Sequence, residues 1–234
     1  MELFIDGIVK AWQLLTSLDR EVLSVTLLSL KVSGLATLIS LVLGLGGGTA
    51  IALAEFPGKR VIVSVVNTGM GLPPVVVGLI VYLILSRRGP LGFLGLLYSP
   101  TAMIIAQTIL AVPIVTALCH SAIVNVDPLI RQAARTLGAT PRQETLAVIH
   151  EARYGILSAV IAAFGRVMAE VGSILIVGGN IAGYTRVMTT TIALETDKGN
   201  FELALALGII LLSISFLINA VLHHVQKRGA ARTL

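Results

Sequence analysis

The chain has 234 residues, 56% of them hydrophobic and 12% charged, with seventeen lysines and arginines against twelve acids for a formal charge of +5. A soluble domain carries roughly a quarter charged residues, so there are too few here to cover a water-facing surface, and a disulfide-stapled module is excluded because Cys119 is the sole cysteine. The composition is that of an all-α integral membrane protein, in which a basic excess reports topology before it suggests nucleic acid.

Residues 1–21 begin with Glu2 and Asp6 where a signal peptide needs positive charge. They read as an extracytoplasmic or interfacial N-terminal segment. Five apolar stretches follow, each long enough for the roughly 20 residues of a membrane-spanning helix: 22–54, 61–86, 100–126, 156–180 and 203–222. Together they make one transmembrane domain over 22–222, followed by a tail at 223–234. In the first span Ser33, Thr37, Ser40, Gly44 and Gly47 recur at helical spacing, a small-residue stripe that lets another backbone approach closely. In the second span Pro73 and Pro74, and in the third Pro113, remove helical hydrogen bonds and are expected to break their helices. The fourth span repeats a small-residue stripe with Ala159, Ala162, Ala169 and Ser173, and carries Arg166 and Glu170, four apart and able to pair on one face.

The loop 127–155 is the most informative segment. Asp127 suits an N-cap with Pro128 at the first helical position, Ile130, Ala133, Ala134 and Leu137 share a face, and Gly138 ends the helix. Thr140, Pro141 and Gln143 then form a capping box that opens a second helix. Arg131 and Arg135 fall on the other face of the first helix, a short amphipathic element of the kind that docks into a partner's groove.

Basic residues distribute unevenly between the two sides. Lys59, Arg60, Arg131, Arg135, Arg142, Arg153, Lys227, Arg228 and Arg232 lie on one side; Lys10, Arg20, Arg87, Arg88, Arg186 and Lys198 lie on the other, among the acids Glu2, Asp6, Asp19, Glu21, Glu195, Asp197 and Glu202. The positive-inside rule puts the first group in the cytoplasm, with the N-terminus outside and the C-terminus inside.

Gln132, Ala133, Ala134 and Gly138, followed by Ile149 and by Ala152 to Ile156, resemble the cytoplasmic EAA loop of ABC importer permeases; Gln132 stands where that family usually has Glu, and His150 where Pro is common. Leu72 to Gly78 and Ser86 to Gly92 are similar to the molybdate, sulfate and tungstate branch. Glu170 to Gly172, Val177 to Val187, Ile192 to Glu195 and Gly199 to Gly208 are similar to tungstate permeases in particular. The resemblance implies a permease subunit of a binding-protein-dependent importer in a prokaryotic cell membrane, multi-pass and working as a homodimer. Its partners would be two ATP-binding cassette subunits and an extracytoplasmic oxyanion-binding protein, with tungstate the expected substrate and molybdate or sulfate the alternatives. It also implies ATPase coupling through Gln132, Ala133, Ala134 and Gly138.

The chain contains no Gly-x-x-x-x-Gly-Lys-Ser/Thr loop, so it is expected to be a transport subunit and not the ATPase. Asn180, Thr189, Thr190 and Thr191 are neutral donors that could pass a divalent oxyanion along a pathway or gate without trapping it; the plainer reading is a capped outer loop. Arg166 and Glu170 read as either an intramembrane ion pair or a gate, structural pairing being favoured because Glu170 repels anions. His120, His150, His223 and His224 share no ligand spacing, so no metal or cofactor is expected. A passive channel and an intramembrane enzyme are the readings from other classes. The enzyme lacks a nucleophile and base at matched depth.

Overall fold

The computed structural model describes residues 2–17 and 20–230, apart from the side chains of 2–4, 14, 15, 222, 223 and 225–230. Asp19 and Arg232 lie outside the described residues, as do the side chains of Glu2, His223, Lys227 and Arg228. The described elements are helical: α1 (Glu2–Thr16), α2 (Arg20–Leu53), α3 (Lys59–Gly69), α4 (Pro74–Leu85), α5 (Pro100–Val124), α6 (Pro128–Thr136), α7 (Pro141–Glu151), α8 (Arg153–Met168), α9 (Gly172–Gly178), α10 (Met188–Asp197) and α11 (Phe201–Ala230), with a 3-10 turn at Gly92–Leu94.

Arg20–Leu53, Pro100–Val124 and Phe201–Val221 are long and apolar enough to cross a bilayer alone. Two further pairs reach that length only if taken together, α3 with α4 across a 99° bend and α7 with α8 across a 63° bend, giving three to five spans. The protein is thus a multi-pass helical membrane protein.

The centre of the bundle is α2 against α5. The small-residue stripe explains the closeness: Ser33, Thr37, Ser40, Gly44 and Gly48 are buried, and a Cβ on Gly44 would sit 2.7 Å from Val115 Cβ. A Cβ on Gly48 would sit 2.8 Å from the Thr116 carbonyl oxygen, whereas one on Gly47 would meet nothing nearer than 3.6 Å. The four-residue ridge continues from Gly44 to Gly48, and Gly47 lies beside it.

Two expectations need correction. Pro113 does not break its helix: α5 runs continuously from Pro100 to Val124 with Pro113 inside it, and its neighbours leave room for the ring. One of them is Gly69, whose added Cβ would lie 3.0 Å from Pro113 Cβ. The stretch 156–180 is not one helix: α8 stops at Met168 and α9 begins at Gly172. The inward ridge of α8 follows Ala159, Ala163 and Val167 at four-residue spacing, leaving Ala162 and Ala169 exposed. At Pro73 and Pro74 the chain does turn, with Pro73 extended at ψ 120° and Pro74 opening α4.

The two ends of the bundle differ. At one end lie the starts of α2 and α11, α10 and the segment 179–187; at the other, Ala52 and Leu53 of α2 and Ile123 and Val126 at the end of α5 form a small apolar cluster with Val148 of α7 and its C-cap Ala152.

Candidate functional site

Two groups of residues carry possible function. The first is the α6–α7 hairpin. Asp127 Oδ1 accepts from the Leu129 amide at 2.8 Å, which caps α6. Gly138, at φ +79°, ends it in the left-handed conformation that glycine tolerates. There the Gly138 amide donates to the Arg135 carbonyl and the Ala139 amide to the Ala134 carbonyl, both at 3.0 Å. Thr140 and Gln143 cap α7 reciprocally: the Thr140 amide donates to Gln143 Oε1 at 2.8 Å and the Gln143 amide to Thr140 Oγ1 at 3.4 Å.

No residue of α6 is buried. Gln132 and Ala133 are exposed, Ala134 is half-buried, and Leu129 and Leu137 are 65% and 87% exposed. Such an apolar helix surface, standing clear of the bundle, is available to a partner. Arg131 and Arg135 do not point away from the protein as the amphipathic reading suggests. Both turn to Glu144 of α7, a residue that sequence reasoning missed. No local signal singled it out, since α7 carries both Glu144 and Glu151 after the glycine turn.

The second group surrounds the break between α8 and α9, where Arg166, Glu170 and Thr189 converge. Glu170 is 4% exposed. Its Oε2 lies 3.3 Å from Arg166 Nη1 and its Oε1 accepts from the Ser173 amide at 3.1 Å, so one carboxylate both pairs with α8 and supports the start of α9. Thr189 Oγ1 donates to the Glu170 carbonyl at 2.8 Å, and Gln107 Nε2 of α5 donates to the Val167 carbonyl at 2.8 Å. A broken helix at membrane depth needs neighbours that take up its freed carbonyls. Gln107 and Thr189 do that here. Glycine brings α4 onto the same point, since a Cβ on Gly78 would lie 2.7 Å from Ser173 Cα. The Gln107 Oε1 and Ser173 Oγ atoms are buried without a hydrogen-bond partner.

The three threonines are all buried. Thr190 Oγ1 accepts from the Val187 amide at 3.1 Å and donates to the Val187 carbonyl at 3.0 Å; Thr191 Oγ1 donates to that same carbonyl at 2.8 Å. In this conformation each hydroxyl serves the protein's own main chain. Asn180 sits apart from them in a left-handed turn at φ +49°, its carbonyl 3.5 Å from Arg186 Nη2. Among the described residues, no group of three or more histidine, cysteine, aspartate or glutamate side chains comes together.

A multi-pass helical bundle with a helix broken inside it and an exposed helical hairpin has the architecture of a membrane transport component. Residues 34–229 match the family described as binding-protein-dependent transport system inner membrane component, and the chain belongs to that family. It is 48% identical over 214 residues to a probable anion ABC transporter permease protein of Haloferax volcanii, covering 89% of this chain and 92% of that one. It is 42% identical over 227 residues to the tungstate uptake system permease protein TupB of Peptoclostridium acidaminophilum, covering 97% of this chain and 100% of that one. Its fold is similar to a chain in the crystal structure of a bacterial alginate ABC transporter in complex with an alginate pentasaccharide-bound periplasmic protein. That likeness has a TM-score of 0.74 at 19% identity and covers 90% of this chain and 80% of the other.

Proposed function

We propose that this transport component is the permease subunit of an ATP-driven tungstate importer, and that α6 is the helix through which a separate ATPase moves it. The observation that carries the coupling role is the exposed α6 surface around Gln132, Ala133 and Ala134, closed by the Gly138 turn. Similarity to TupB along nearly the whole chain supports the substrate. On this reading two copies of the chain form the pathway, two ATP-binding cassette subunits dock on the α6 helices, and an extracytoplasmic binding protein delivers the oxyanion. The chain sits in a prokaryotic inner membrane. Residues 1–21 and the 179–200 segment face outward, 127–155 and 223–234 face the cytoplasm, and 22–222 form the transmembrane domain.

The pathway reading for Asn180, Thr189, Thr190 and Thr191 rests on the break between α8 and α9. Thr189 holds the Glu170 carbonyl, so movement of α8 relative to α10 exchanges that bond and frees a neutral donor. Arg166 and Glu170 form the ion pair that keeps the break closed.

The test is uptake of labelled tungstate by the reconstituted complex, competed by molybdate and by sulfate. ATP-dependent uptake that survives excess of both competitors supports the proposal. Equal displacement by molybdate reassigns the substrate within the oxyanions. ATP-independent flux would instead make the chain a channel.

A further inference from the structure

The helix α6 is held to the rest of the protein in an unusual way. None of its side chains is fully buried and only Ile130, Arg131 and Ala134 are half-buried, so apolar packing holds its orientation weakly. The polar contacts that hold it converge on one carboxylate. Arg131 Nε donates to Glu144 Oε1 at 2.8 Å, Arg135 Nε donates to Glu144 Oε2 at 2.8 Å, and Arg135 Nη2 donates to Glu144 Oε1 at 3.0 Å. The Glu144 side chain is 11% exposed, while those of Arg131 and Arg135 are 37% and 64% exposed. Both carboxylate oxygens are occupied, and Arg135 is bidentate, a geometry that fixes direction as well as distance.

From this geometry we infer that Glu144 is a positioning residue for coupling: by clamping Arg131 and Arg135 it joins α6 and α7 into one rigid unit and sets the angle at which the docking helix meets its partner. The inference rests on the proposed docking role of α6. The chain joins the two helices through the 137–140 turn, which contains Gly138 at φ +79° and no buried side chain. Without the clamp, α6 swings about that turn. With it, a displacement of α6 passes into α7, whose Val148 is 1% exposed and seated against Ile123 and Ala152. From there it passes across the 63° bend into α8, which ends at the Arg166–Glu170 break. The hydrogen bonds from Arg135 and then Arg131 hold the Glu144 carboxyl down to about 2, so the clamp is charged at physiological pH.

A competing role for the two arginines is direct contact with the ATPase. A cycle of variants separates the two. The transporter is reconstituted with its ATPase and binding protein, and uptake per ATP hydrolysed is measured for Glu144→Gln, for Arg131→Gln with Arg135→Gln, and for all three changes together. The clamp predicts at least about a fivefold fall in that ratio for Glu144→Gln, the low end of ordinary coupling, and no further fall when the arginines are also changed. An undiminished ratio in Glu144→Gln, or arginine losses that add in full, would overturn it.

A second readout follows α6 directly. Spin labels on Leu129→Cys, at the end of α6 remote from the turn, and on Leu146→Cys use exposed positions, and the one native cysteine, Cys119, is buried. The inter-label distance distribution is expected to broaden in Glu144→Gln; an unchanged distribution contradicts the clamp. Should Glu144→Gln fail to fold, the double arginine variant breaks the same contacts from their exposed side, and unchanged coupling there overturns the inference. Ala134→Glu keeps the two ideas apart. Normal uptake in that variant would reject docking through α6, whereas loss of uptake there with normal coupling in Glu144→Gln would reject only the clamp.

Discussion

Two glutamates hold junctions between helices in this protein, and they work in opposite surroundings. Glu144 lies at the edge of the α6–α7 hairpin and meets two arginines that keep solvent contact, 37% and 64% exposed. Glu170 lies inside the bundle with a side chain 5% exposed and meets one arginine and one backbone amide. At the first joint, water can accept a released arginine, so losing the contact changes geometry more than stability. At the second, an orphaned carboxylate has nowhere to go, so losing the contact costs stability. A helix that buries no side chain can tilt as a body, whereas a broken helix in the core is fixed by every group that takes up its freed carbonyls.

The comparison can be broken at several points. The largest effect on transport is expected from Ala134→Glu, which puts a charge on the proposed docking surface of α6: uptake should fall to background while the permease still reaches the membrane, as read by uptake, by membrane fractionation and by co-purification of the ATPase. Next is Arg166→Gln, which leaves Glu170 buried. It should cost about 2 to 3 kcal/mol in thermal unfolding, less than a fully buried pair because Arg166 is 39% exposed. Arg166→Gln combined with Glu170→Gln should be milder than Arg166→Gln alone. A double variant worse than that single would refute pairing.

Gly78→Ala should cost about 1 to 3 kcal/mol, since its Cβ would meet Ser173 Cα at 2.7 Å. Gly165→Ala, with open space at the same position, should be neutral or stabilising by up to about 1 kcal/mol in the same assay. Thr189→Val should show a small stability loss, about 1 kcal/mol for one lost hydrogen bond. Uptake normalised to folded transporter should fall further than that if Thr189 serves the pathway.

Local chemistry made much of this legible in the sequence. The cap at Asp127, the stop at Gly138 and the capping box at Thr140 each involve residues within five positions of one another, and the hairpin has those boundaries. The small-residue ridge of α2 was readable for the same reason, apart from the shift from Gly47 to Gly48. Pro113 misled because a proline's effect on a helix depends on what surrounds it, and tertiary packing around Gly69 accommodates the ring. The break between α8 and α9 was harder to read: Ala169, Glu170 and Val171 contain neither glycine nor proline, and beside Glu170 the groups that stabilise the break, Gln107 and Thr189, come from other helices. Glu144 was invisible for a related reason. Only the folded hairpin brings it under Arg131 and Arg135.

The most direct test of the central claim, that α6 is where this permease meets its ATPase, is site-specific cross-linking from Leu137 in the assembled transporter. Leu137 is 87% exposed, and Val42, at 68% on α2, is a matched control. A photoreactive group at Leu137 should cross-link to the ATPase subunit, and one at Val42 should not. Efficient cross-linking from Val42 with none from Leu137 would contradict the account.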